Sequence, residues 1–126
     1  MLVTESWKFD DAPATLTADA AIGQLSARIA SQKLESWLTS SSGRLLAVVT
    51  NTERAMVMLL DGEGDPGEHA IDPWADGSSS GYVLANGQND EYPDNDTVPL
   101  PEALRIVRHI LAHGNPPADA AWRVDR

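Results

Sequence analysis

A chain of 126 residues has room for one hydrophobic core, and 42% apolar with 22% charged residues is the mix of a folded domain rather than a disordered one. The formal charge of -10, from 19 Asp and Glu against 9 Lys and Arg, argues against nucleic acid as a partner, because phosphates are repelled by such a surface. With no cysteine, no apolar run near the ~18 residues of a membrane span and no basic-then-apolar leader in residues 1–7, one cytoplasmic domain over residues 1–126 is expected, with no membrane partner.

Val3, Trp7 and Phe9 suggest a short edge strand at the start. Thr17 then reads as a helix N-cap with Asp19 in the first turn, and Ile22, Leu25 and Ile29 recur at i, i+3 and i+7, so one face of this helix should be buried. Residues 34–38, with Trp37, precede a Ser-rich break that ends at Gly43. Residues 44–50 are apolar and β-branched and predict a central strand, and residues 54–60 predict its antiparallel neighbour across the turn at 51–53.

Gly and Pro punctuate residues 61–67 throughout, which predicts an acidic loop. Residues 72–81 have the same texture and carry Trp74. The strand pattern resumes over 81–85, Asn86-Gly87 signals a two-residue hairpin, and residues 88–92 return until Pro93 ends the strand. A last helix is predicted over 101–113, with Pro at its start and Gly114 past its end. Leu104, Val107, Ile110 and Leu111 form its inward stripe, with Glu102, Arg105, Arg108, His109 and His113 outward. Beyond Asn115-Pro116-Pro117, Trp122 lies in a tail expected to fray unless its indole docks. The order of elements, without a βαβ rhythm, predicts an α+β fold: a mainly antiparallel sheet with two principal helices packed on it.

Three motifs suggest chemistry and fail on context. Residues 77–81 match Gly-x-Ser-x-Gly, but a nucleophile elbow needs a strand turning into a helix, and here a loop leads into a strand. His109 and His113 share a helix face, yet Ile110 stands where a metalloprotease helix carries glutamate, and His69 is in a distant loop. Asp61, Glu63 and Asp65 alternate with glycines as in a calcium loop, but Pro66 and Asp72 occupy the positions that need Gly and Glu. No cofactor is implied.

The charge distribution says more than its total. Between Arg54 and Arg105 there is no Lys or Arg, while eleven of the nineteen acids fall there. Acids with aromatic anchors among them are what a binder of a basic protein surface carries.

The run Gly81 through Pro93, then Val98-Pro99-Leu100 opening a helix, then Gly114-Asn115-Pro116-Pro117 and Trp122, resembles immunity-protein family one of the bacterial polymorphic toxin systems. The resemblance spans about residues 34 to 124 in order, with Trp37 and the 45–60 hairpin as its front part. Its motifs are a glycine (Gly87), an acid-aromatic-proline triplet (Glu91, Tyr92, Pro93), a Gly-x-x-Pro turn from Gly114 and a tryptophan, Trp122. Tyr92 stands where phenylalanine is common in that family.

The resemblance implies inhibition by occlusion: the chain binds a cognate toxin, often a nucleic-acid deaminase or nuclease, inside the producing cell. The expected contact residues are Asp61, Glu63, Asp65, Asp72, Trp74 and Asp76, with Asp90, Glu91, Tyr92, Asp94 and Asp96 from the later hairpin. Trp37, Gly87, Pro93, Gly114 and Trp122 are expected to serve the fold. Two rival readings are a small metal-dependent hydrolase using Asp61, Asp65 and the histidines, and a generic acidic interaction subunit.

Overall fold

Side-chain alternation along the longest strands decides how the chain layers. In the computed structural model, which describes residues 5–126, β1 (Trp7–Phe9), β2 (Glu35–Ser40), β3 (Leu45–Thr50) and β4 (Arg54–Leu60) form an antiparallel meander. Val3, expected in the first strand, lies outside the described residues. The sheet continues from β4 to β5 (Glu68–Ala70) and β9 (Trp122–Val124), and the short β8 (Val98–Pro99) pairs with the start of β4. Every pairing is antiparallel, so the fold is α+β.

One face of this sheet carries Leu38, Leu46 and Leu59 in one cross-strand row and Val48 and Val57 in the next. They join the main core with the two helices, α1 (Ala18–Ala30) and α2 (Leu100–His113). Thr17 caps α1 as expected, its Oγ1 accepting from the Ala20 N–H at 3.1 Å. The buried stripe is Ala21, Leu25 and Ile29, with Ile22 only partly buried at its flank, because the face turned to the core takes the small Ala21 and leaves Ile22 about 100° further round the helix. In α2 the stripe is Ala103, Ile106, Val107, Ile110 and Leu111, with Leu104 at its edge. Gly114, at φ 85°, ends α2 in the left-handed conformation, and its N–H donates to the Ile110 carbonyl at 2.7 Å.

A two-stranded ribbon, β6 (Ser78–Val83) with β7 (Asn89–Pro93), lies against β3 on the opposite face. Ala47, Val49 and Tyr82 are buried there, apart from the main core. The ribbon begins at Ser78, three residues before the expected start, so the serine run is strand and not loop. Its turn also differs from the two-residue reading. The Gly87 N–H donates to the Leu84 carbonyl at 2.9 Å and the Leu84 N–H to Gln88 at 2.8 Å, so Ala85, Asn86 and Gly87 form a three-residue loop with Gly87 at φ 86°.

The tail is docked. β9 pairs with β5 by matching Trp122 to Ala70, and the Trp122 indole N–H donates to Glu68 at 2.8 Å. That contact satisfies the polar end of the ring while its body packs on the core.

Candidate functional site

The carboxylates of the acidic stretch sit among arginines that the fold returns to them. Arg54, on β4, donates through Nε to Thr97 Oγ1 at 2.8 Å, and through Nη2 to Asp72 at 2.8 Å and the carbonyls of Asp94 and Thr97 at 3.0 Å. The Asp94 carboxylate lies 3.7 Å from the same guanidinium and accepts from Ser79 Oγ at 2.6 Å. The Asp72 N–H donates to the Asn95 carbonyl at 2.9 Å, so the 72–76 loop and the 3-10 turn Asp94–Asp96 are stitched together. Two acidic segments about twenty residues apart in sequence form one surface.

Arg126 does the same for the first loop. It reaches Asp65 at 2.8 Å, Glu68 at 2.7 Å and Asp61 at 3.3 Å, and its donation holds the Asp65 carboxyl below the usual carboxylate range. Beside it, Asp125 meets His69 Nδ1 at 2.7 Å, and His69 Nε2 lies 3.0 Å from Asp96. These clusters follow one another along the flank from the 61–65 loop to the Arg54 hub. At Arg54 and at Arg126 carboxylates outnumber the arginine that they share, and Asp96 and Asp125 share His69 with only Arg123 near Asp96, at 3.6 Å, so the belt stays net negative while its members are fixed in place.

Not every candidate joins the belt. Glu63 and Asp76 are exposed and have no ion-pair partner among the described residues. Glu91 accepts from Ser78 Oγ at 2.9 Å. Asp90 accepts from the Tyr92 hydroxyl at 2.6 Å and from Gln88, and the Tyr92 donation leads its pKa downward. Burial first, and Asp90 second, push the Tyr92 phenol well up, and its ring meets Tyr82 edge-on at 4.8 Å. Tyr92 is therefore half-buried in the ribbon. Trp37 is on the ribbon's side of β2, where its indole N–H donates to Glu35 at 2.9 Å; the other Glu35 oxygen accepts the Ala85 N–H at 2.9 Å. Pro93 closes β7 opposite Ser78, and the Gly114 carbonyl accepts from Arg44 at 2.6 Å.

Trp74 behaves differently from all of these. It is 93% exposed, yet its loop is tied down on both sides: the Ile71 N–H donates to Ala121, the Ala75 N–H to Asp72, and the Asp94 N–H to Gly77. Next to it runs a groove of about 380 Å³ with Ile71, Pro73, Val98, Pro99, Ile106 and Ala121 along it. Asp72, Glu102 and Asp119 rim the groove, and Arg105 is shared by Glu102 at 2.6 Å and Asp119 at 3.1 Å. Glu102 and Asp119 were not among the contact residues expected from sequence, where Glu102 reads only as part of the outward helix face; being far apart in the chain, they carry no shared pattern there.

Several of the groups that suggested metal or nucleophile chemistry are engaged elsewhere. Ser78 and Ser79 donate to carboxylates within or beside a strand pair, and His109 Nδ1 faces the Asn115 carbonyl at 2.6 Å. Among the described residues, no group of three or more His, Asp and Glu is gathered as a metal site.

The family described as Immunity protein Imm1 matches residues 10–124, nearly the whole chain. The chain belongs to this immunity-protein family, whose members protect against bacterial toxins. No curated protein matches it.

Proposed function

We propose that the chain neutralises its cognate toxin by physical occlusion, inside the cell that makes both, and that its acidic belt is the contact surface. The toxin in this reading acts on nucleic acid, as a deaminase or a nuclease. Enzymes that grip nucleic acid present cationic clefts, and a preformed negative surface competes for such a cleft. The observation that carries the reading is the surplus of carboxylates over arginines at each cluster from Asp61 to Asp94, held in fixed geometry. Long-range attraction would bring encounter rates toward ~10⁸ M⁻¹s⁻¹ at low salt.

Co-expression with the adjacent open reading frame tests the function: growth should be restored only when this chain is present. The placement is tested by reversing Asp61, the most exposed of the belt carboxylates on Arg126, together with two exposed charges that flank the belt in its loops: Asp61→Lys, Glu63→Lys and Asp76→Lys. Slower association and a flatter salt dependence are expected from the set. Unchanged association in all three would move the contact elsewhere on the molecule.

A further inference from the structure

We infer that the tip of the 71–75 loop is the anchor of the toxin contact, and that the adjoining groove receives a toxin segment in which an apolar side chain is flanked by Lys or Arg. The inference rests on the toxin-binding reading and narrows it to one end of the belt.

Exposure and rigidity rarely coincide at a tryptophan. An indole 93% open to solvent forfeits the burial that usually justifies its place in a small domain. A solvated loop tip has no need of it. This loop, moreover, is held by the Ile71–Ala121, Asp72–Asn95 and Asp94–Gly77 backbone hydrogen bonds and by Arg54 on the Asp72 carboxylate. The ordering cost that a flexible loop would meet on binding is thus already met in the fold. A rigid aromatic side chain beside a pocket is the arrangement found at interface hot spots.

The groove fixes the chemistry of its occupant. Its accessible apolar lining, Ile71, Pro73, Pro99 and Ala121 over the buried Val98 and Ile106, suits an aliphatic or aromatic side chain. At the rim, Arg54 is shared by Asp72 and Asp94, and Arg105 by Glu102 and Asp119, so each pair keeps surplus negative charge. Asp76 adds another charge nearby in the chain. A second copy of this chain would bring the same acids against themselves, which like-charge repulsion disfavours at a two-fold contact. A cationic segment of another protein meets the rim without that cost.

The test uses the intact chain and the purified product of the adjacent open reading frame, with Kd measured by titration and mass by light scattering. Trp74→Ala should weaken Kd by ~30-fold or more and leave the melting midpoint where it was, because the side chain contributes little to the core. Asp119→Lys should lower the association rate and flatten its salt dependence. If the parent chain neither binds that product nor restores growth, the toxin-binding reading falls and the groove assignment with it. If the parent binds and Trp74→Ala binds equally well, the groove assignment alone is overturned. A dimer of the free chain that Trp74→Ala dissolves would overturn it too, by making a second copy the occupant.

Discussion

Replacing Arg54 with methionine should be the most costly single change on the functional flank. The Arg54 side chain is 20% exposed, and its guanidinium supplies the polar partner of four groups: the Asp72 carboxylate, the Thr97 hydroxyl and the carbonyls of Asp94 and Thr97. Thr97 is fully buried, so water does not replace the lost donors there at full value. A hydrogen bond to a charged group is worth ~1.5–3 kcal/mol net, and removing one partner of a buried ion pair costs ~3–5 kcal/mol. Partial exposure of Asp72, at 27%, lowers the second figure, which leaves about 3 kcal/mol for the hub. Unfolding a domain of this size carries an entropy of ~0.26 kcal/mol per kelvin, so the midpoint should fall by ~11 °C. Thermal melts followed by circular dichroism, with urea titration for the free energy, measure this directly. Arg54→Lys, which keeps a charge and loses the fork, should recover about half of the loss. A methionine variant melting within ~2 °C of the parent would refute the hub, and with it the claim that the acidic loops are preorganised.

Three further outcomes follow from local geometry. Donation from Arg44 lowers the Glu5 pKa from 4.5 to about 2, against the opposing effect of burial and with help from Ser42 and Ser40. A depressed carboxyl stabilises the fold above its unfolded pKa and loses that contribution as pH falls toward the folded one, so Glu5→Gln should flatten stability between about pH 4.5 and 2, read by urea midpoints across that range. Gly67 stands at φ 81°, and a Cβ there would lie 3.0 Å from the Leu59 carbonyl oxygen; Gly67→Ala should cost ~2 kcal/mol in a denaturant titration. Thr52, a β-branched residue at φ 80° in the turn after β3, is strained in the opposite sense, and Thr52→Gly should raise stability by ~1 kcal/mol in the same titration.

Elements that carry their own pattern could be read from the chain, and elements made by pairing could not. β3 and β4 are continuous apolar runs around a polar turn, and both helices announce themselves by caps and period. β5 and β9 are three residues each, too short for any period. They exist because each supplies the other with a partner across more than fifty residues. The tail, expected to fray unless its indole docks, is ordered for the same reason: Trp122 has an indole partner in Glu68 that sequence proximity does not reveal. The serines at 78–80 read as loop because Ser and Gly are poor strand formers, and the neighbouring Tyr82 and Tyr92 override that preference by packing against each other.

The candidate site shows the same division in its charges. The stretch between Arg54 and Arg105 holds eleven acids and no Lys or Arg, but the fold lays Arg54, at its near edge, and Arg126, from well beyond its far edge, onto those acids. Each cluster then holds two or three carboxylates on one guanidinium, which changes what the surface can do. Unpaired acids on flexible loops would repel one another and pay for ordering at the moment of contact. Acids held on shared arginines keep their net sign, stay where the hydrogen bonds place them, and present that sign to a partner without rearrangement. Removing a rim charge with no partner should therefore act on encounter, whereas removing a shared arginine should act on the lifetime of the complex. That contrast between association and dissociation rates separates a preorganised electrostatic surface from a merely soluble one.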